Sequence, residues 1–247
     1  MYSWPKSIPR PNHIVIDEAH KIENETTSSC TVSINEQILE KIQSSLKNMT
    51  GVGALFFLLS KFESSPGEST SIIKKIREEI QHQADILKDH LSPLSDLCEK
   101  YFKKMPRYTS LYWNEAPFNF SSFEQDPIGK KILNHLKSIA HILDVIEQYI
   151  LPYASRWDVK NLKDDSLITA WTKFESFYAN ISDTSLALNQ ILNKNDEDNQ
   201  NEWSRSCKYH EEYGFEFISA PINIGKIIYQ QLLQNSESVI FTSATLG

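Results

Sequence analysis

Two adjacent carboxylates at the end of an apolar run, Asp17 and Glu18 in His13-Ile-Val-Ile-Asp-Glu-Ala-His20, are the residues of this chain best suited to chemistry. Hydrolysis of a nucleoside triphosphate needs a metal to neutralise the β and γ phosphates and a group that orients the attacking water. Paired carboxylates can do both: Asp17 would hold Mg²⁺, through water because that ion sheds its hydration reluctantly, and Glu18 would position the nucleophilic water. His20 would sense the nucleotide state and pass it to neighbouring segments. A second apolar run, Val239-Ile-Phe241, ends in the small hydroxyl stretch Thr242-Ser-Ala-Thr245, able to hydrogen-bond a carboxylate or histidine on an adjacent strand edge. Taken singly, the first segment also reads as a strand followed by an acidic helix cap, and the second as a strand followed by a polar turn. Their combination favours chemistry.

Stepping outward from these residues, the elements that must position them are two short, buried parallel strands, Ile14 to Ile16 and Val239 to Phe241. Such strands deliver side chains to the carboxyl edge of a sheet, where nucleotides bind, and Asp17-Glu18 there has the form of a Walker-B site. The partner that such a site needs, a Gly-x-x-x-x-Gly-Lys-Ser/Thr phosphate loop, occurs nowhere in the 247 residues.

Between the two segments the texture is helical. Ile38, Ile42 and Leu46 repeat at four, and Val52, Leu55, Phe56 and Leu59 continue an apolar face, which predicts two helices. A long amphipathic stretch opens at Glu68 and carries Ile76, Ile80, Leu87, Leu94, Cys98 and Tyr101, with a kink or split expected at Pro93. The aromatic segment from Pro106 to Phe123 suggests short strands. Asp126-Pro127 starts a helix whose face runs from Ile132 to Ile150 and is expected to break at Pro152. Two more helices are expected at about Asp165–Tyr178 and Asp183–Leu192, followed by a solvated loop at 193–201. Trp203 to Tyr209 and Phe215 to Ala220 predict a β-hairpin, and Pro221 starts a helix to about Gln234.

Composition narrows the class. With 12 Phe, 10 Tyr and 5 Trp against 7 Gly, the chain favours helices and aromatic packing over many turns. A formal charge of -7 gives no global attraction to phosphate, so contact with nucleic acid would need a local basic surface. The candidates are Lys103, Lys104 and Arg107 beside Tyr101, Phe102 and Tyr108, which combine cations with aromatic platforms as single-strand binding requires; a solvated helix end over core aromatics explains the same letters. Cys30, Cys98 and Cys207 are far apart and form no Cys-x-x-Cys pair, so they suit a reducing compartment and supply no cluster or zinc site. His82, His90, His135 and His141 fall on helices with no metal-ligand pairing, and Trp113, Trp157 and Trp171 read as core anchors. No signal peptide or apolar stretch long enough to span a bilayer is apparent, and the expected location is cytoplasmic, with no membrane partner.

In combination, Asp17-Glu-Ala-His20 and the segment from Phe217-Ile-Ser-Ala-Pro-Ile222 through a helix to Ser238-Val-Ile-Phe-Thr-Ser-Ala-Thr-Leu246 resemble superfamily 2 helicases of the DinG/XPD type. The resemblance covers about residues 12 to 25 and 213 to 247. It implies that Asp17, Glu18 and His20 belong to motif II and that Ser243, Ala244 and Thr245 form motif III, which couples nucleotide state to movement. The 222 residues from Lys21 to Thr242 are too many for one crossover connection. The resemblance fills this gap with a mostly helical Arch domain that guides single-stranded DNA.

The expected fold is therefore mostly α: a helical Arch-like insertion, residues 31–200, mounted on a partial RecA-like α/β layer of two parallel strands, a β-hairpin and one helix, residues 1–30 and 201–247. The implied parent is an ATP- and Mg²⁺-dependent DNA helicase moving 5′ to 3′, with the remaining motor domains in the same polypeptide and an iron-sulfur cluster left open. This stretch alone is expected to be inactive for want of a phosphate loop and to hold no cluster ligands. The competing reading is a helical interaction or regulatory module with a vestigial box. Oligomeric state is not legible.

Overall fold

The computed structural model describes residues 12–62, 66–104, 114–117, 120–154, 164–192, 203–234 and 236–243. The extended lead expected before residue 12, the loop at 193–201, and Trp113 and Trp157 lie outside them. The described residues are mostly helical, with a pair of parallel strands and a separate antiparallel sheet. In chain order they run β1 (His13–Ile16), a 3₁₀ turn (Ala19–Lys21), α1 (Ile22–Cys30), β2 (Val32–Asn35), α2 (Glu36–Lys47), α3 (Val52–Phe62), α4 (Pro66–Lys103), β3 (Asn114–Pro117), α5 (Phe120–Gln125), α6 (Pro127–Ala154), α7 (Asp165–Leu192), β4 (Trp203–His210), β5 (Gly214–Pro221), α8 (Ile224–Ile228), a π-helical turn (Tyr229–Leu233) and β6 (Ser238–Phe241). They fall into two compact units: Met1–Ser33 with Lys194–Arg205 and Ile218–Gly247, and Ile34–Asn193 with Ser206–Phe217.

The larger unit is a helical body in which α6 packs against α4, α5 and α7, α7 against α3, and α4 against α2. The period that predicts α6 also predicts its core, because Ile132, Leu133, Leu136, Ile139, Leu143, Ile146 and Ile150 are all buried. Each such side chain stabilises the fold by about 1.5–3 kcal/mol relative to exposure. Helix starts carry their own caps. The Asn35 side chain accepts from the Ile38 N–H at 2.9 Å, and Asp126 accepts from Ile128 at 2.7 Å and Gly129 at 3.0 Å. Those bonds, the one from Gly129 foremost, hold the Asp126 carboxyl below the usual carboxylate range.

Three local expectations give way to packing. Helix α4 runs unbroken through Pro93, because Leu87, Leu94 and Cys98 on either side of the proline are fully buried and outweigh its local cost of about 3 kcal/mol. Helix α6 continues past Pro152 to Ala154. Helix α7 joins the two helices expected at 165–178 and 183–192. The polar residues that look like a break there meet acids on α6: Tyr178 and Ser182 donate to Glu147 at 3.2 and 2.8 Å, and Ser185 donates to Asp144.

The expected hairpin forms, but in a different sheet. Strands β4 and β5 lie within the order β2-β5-β4-β3, with β3 antiparallel to β4, and do not extend the β1-β6 pair. The alternation of β4 and β5 explains the choice, since it turns Cys207, Tyr209, Phe215 and Phe217 inward, and Tyr209 stacks on buried Phe102 of α4 with centroids 6.1 Å apart.

A parallel strand pair brings the two motifs together

The smaller unit holds the two segments singled out by chemistry. Strand β1 pairs in parallel with β6, in the register His13↔Ser238 to Ile16↔Phe241. The ladder is continued at its carboxyl end by the Thr242 N–H donating to the Ile16 carbonyl at 2.8 Å and the Ala19 N–H donating to the Thr242 carbonyl at 2.9 Å. At its amino end the Glu237 N–H donates to the Asn12 carbonyl at 2.7 Å, and His13 Nδ1 meets Ser238 Oγ at 2.9 Å. Residues 17–20 and 242–243 therefore leave the same edge of the same pair.

At that edge the side chains interlock. Thr242 Oγ1 donates to Asp17 Oδ1 at 2.8 Å, and the Glu18 N–H donates to the same oxygen at 2.9 Å. The Thr242 bond, then the Glu18 bond, hold the Asp17 carboxyl below its ordinary range against a slight opposing effect of burial. Asp17 is thus ionised, exposed and oriented, which suits a Mg²⁺ ion that keeps most of its waters and needs few protein oxygens. Among the described residues no three His, Cys, Asp or Glu side chains converge to enclose a metal.

Glu18 adopts the left-handed backbone conformation, with φ 53 and ψ 43. A side chain other than glycine is uncommon there, and the strain is of order 1–3 kcal/mol, a cost that recurs at functional sites. The turn lets the chain reverse into the 3₁₀ turn, so that the Glu18 carboxylate lies 3.1 Å from His20 Nδ1. The same nitrogen is 2.8 Å from Ser243 Oγ. Nδ1 shares its hydrogen bond with the Ser243 hydroxyl, and the direction of that bond follows the imidazole's tautomer, while the Glu18 carboxylate stands beside the same nitrogen as a charge partner for the protonated ring. His20 is then the hinge between Glu18 on one segment and Ser243 on the other.

The strands themselves differ from expectation. They were expected to be buried, yet Val15 is 66%, Ile240 55% and Phe241 42% exposed. Two strands cannot cover their own faces, and among the described residues no further strand pairs with either. Of the expected site residues, Asp17, Glu18, His20 and Ser243 come together; Ala244 and Thr245 lie outside the described residues. Thr242 belongs to the hydroxyl stretch expected to hydrogen-bond a carboxylate on an adjacent strand edge, and it is the member of that stretch that reaches Asp17 although the expected site residues began at Ser243.

The basic cluster has a different character. Tyr101 and Phe102, considered as stacking platforms, are each only 4% exposed. Tyr101 packs on Phe123 with centroids 4.4 Å apart, and burial pushes its hydroxyl up to about 12. Lys103 pairs with Glu99, and Lys104 with Asp126 at 3.3 Å. Both aromatics are therefore core residues, and each lysine has an acidic partner; Arg107 and Tyr108 lie outside the described residues.

Among the other residues considered, Trp171 is half-buried against Phe174. His90 of α4 and His135 of α6 meet with Nδ1 atoms 3.0 Å apart, and burial, then His90, hold the His135 pKa down. The three cysteines are buried and joined in no disulfide, and burial foremost pushes the Cys30 and Cys98 thiols up, the opposite of a reactive thiol. Among the described residues no helix is long and apolar enough to cross a membrane.

Compared with known families and curated proteins, the chain matches no family model and no curated sequence.

Proposed function

We propose that this chain is the part of an ATP-dependent DNA helicase of the DinG/XPD type that runs from motif II through a helical Arch-like insertion to motif III. The observation that carries the reading is the meeting of Asp17 with Thr242 and of His20 with Ser243, across 225 and 223 residues, at the carboxyl end of two parallel strands. A vestigial box has no reason to retain a strained Glu18, a carboxylate held ionised by a hydroxyl from a distant segment, and a histidine bridging the two. The exposed faces of the strand pair add support, because parallel sheets are normally covered on both faces and a two-stranded one is built for more neighbours.

In this reading Asp17 would hold Mg²⁺, and the ion would supply positive charge against the phosphates. Glu18 orients the attacking water, its position fixed by the left-handed backbone and by His20. His20 and Ser243 transmit the position of Glu18 to the β6 segment, and Thr242 keeps Asp17 ionised and aimed. The residues that would cradle the triphosphate are not in this sequence, so the 247-residue chain alone turns over no ATP.

The test has two parts. The reading expects the coding sequence adjoining residue 1 to encode a Gly-x-Gly-Lys-Thr loop, and the protein carrying it to hydrolyse ATP in response to single-stranded DNA, with Glu18→Gln lowering kcat by at least about a hundredfold. ATP turnover by the 247-residue chain alone that Glu18→Gln abolishes, or a loop-bearing protein whose ATPase ignores Glu18→Gln, would sink it.

A further inference from the structure

Within the larger unit a groove of about 580 Å³ lies between α2 and α7, with Thr50 and Gly51 of the α2–α3 turn also lining it. Its walls are regular. On α2, positions 38, 41, 42 and 45 line it, and on α7, positions 173, 176, 177, 180, 181 and 184, each set forming one helical face. Gly51 sets the approach of that turn: its φ of +81 and its lack of a side chain let the loop abut Phe177.

The lining is chemically selective. Ile38, half-exposed, with the small exposed edges of Ile42 and Phe177, gives the groove an apolar floor, while Lys41 and Lys173 stand one on each helix among the hydroxyl and amide groups of Ser45, Ser176 and Asn180. No carboxylate lines it, although the chain carries 32 Asp and Glu against 25 Lys and Arg. Neither lysine belongs to an ion pair among the described residues, in contrast to Lys103 at the end of α4 and Lys104 just beyond it. The volume falls within the range of small-molecule sites. Two unopposed cations match the charge of about -1.5 to -2 on a phosphate monoester at neutral pH and exceed that of a single carboxylate. Neutral hydroxyl and amide donors beside them can complete a phosphate's hydrogen bonds.

We propose that this groove binds a phosphate monoester carried on an apolar or aromatic body, the phosphate between Lys41 and Lys173 and the body against the Ile38–Phe177 floor. The proposal is independent of the ATP-linked reading, since the groove belongs to the helical unit and uses none of Asp17, Glu18, His20 or Ser243. The same chemistry can come from a free nucleotide or from the 5′-phosphorylated end of a nucleic-acid strand.

The experiment is calorimetric titration of the 247-residue chain with phenyl phosphate, followed by competition. One saturable site is expected, with Lys41→Ala and Lys173→Ala each weakening it about tenfold and Lys41→Arg retaining it. Both lysines are exposed, so the variants should keep the wild-type circular dichroism spectrum. Inorganic phosphate should bind at least tenfold more weakly, because it leaves the floor uncovered. Displacement of phenyl phosphate by adenosine 5′-monophosphate, or by a 5′-phosphorylated oligothymidylate and not its 5′-hydroxyl form, supports the proposal and names the source. Absence of saturable binding, wild-type affinity in the Lys41→Ala/Lys173→Ala double variant, equal affinity for inorganic phosphate, or failure of both competitors overturns it.

Discussion

Replacing Gly51 by alanine tests whether the turn between α2 and α3 is as tightly specified as its geometry requires. Gly51 sits at φ +81, and a Cβ there would run into Phe177 Cβ and lie 2.6 Å from its Cγ. Phe177 Cβ is bonded to the α7 backbone, so a rotamer change of the ring cannot relieve the clash, and only a shift of the turn or of α7 can. The left-handed conformation costs an alanine roughly 1–2 kcal/mol, and forced displacement of packed core adds about 1–3 kcal/mol. Gly51→Ala should thus destabilise the chain by about 2–5 kcal/mol, a fall in Tm on the order of 10 °C for a unit of this size. Gly53, two residues on and inside α3, provides the control. Nothing lies within 4 Å of its added Cβ, and Gly53→Ala should stabilise by up to about 1 kcal/mol through helix propensity. Urea unfolding followed by helical circular dichroism reads both, because the helices dominate the signal. Equal signs for the two substitutions, or a Gly51→Ala cost under about 0.5 kcal/mol, would refute the argument.

Further outcomes concern two carboxylates. Burial foremost raises the Glu36 carboxyl above its ordinary value, against a bond from Ser95 at 3.0 Å that lowers it. The folded state therefore favours the protonated form: stability is lost as pH rises through the raised folded pKa and is regained as pH falls towards the unfolded value of 4.5. Glu36→Gln, which keeps an acceptor for Ser95, should be more stable than wild type at pH 7, with the advantage gone at acid pH; denaturant melts at pH 4 and 7 show a contradiction if the gap is constant. Asp17 has the opposite sign, since Thr242 lowers its pKa. Thr242→Val should raise that pKa, read by carboxyl ¹³C titration, while leaving the Glu18 bond in place; an unmoved titration would remove Thr242 from the site.

What could be read beforehand follows from where each signal resides. Helix α6 is legible because its apolar positions repeat over 28 residues and its cap, Asp126, precedes a proline. Pro93 and the polar residues Asn180, Ser182 and Asp183 misled because a local breaker is visible in sequence, whereas what overrides it, the burial of the flanking Leu87 and Leu94 or the acceptor Glu147 on another helix, is set by tertiary packing. The hairpin was visible as two alternating strands, but its sheet was not, since alternation says which face is apolar and not what that face meets. Asp17, Glu18, His20 and Ser243 were legible from residue type and spacing. Thr242 was not separable from its hydroxyl neighbours until the register Ile16↔Phe241 put it opposite Asp17. The same register-dependence hid the groove between α2 and α7: its two lysines are 132 positions apart in sequence and look like ordinary solvated charges on each helix.

The strand pair also has a history imposed by its connectivity. Asp17 and Thr242 are separated by 225 positions, and closing a loop costs more as it lengthens, about 0.6 kcal/mol for each doubling. Helices such as α4, α6 and α7 form from near neighbours in the chain, on far shorter timescales than a contact of such high order. Collapse of the helical unit shortens the free segment between the two strands before they search for each other. Folding kinetics should thus show the residues best placed for chemistry finding their partners late, after the helices between them have formed.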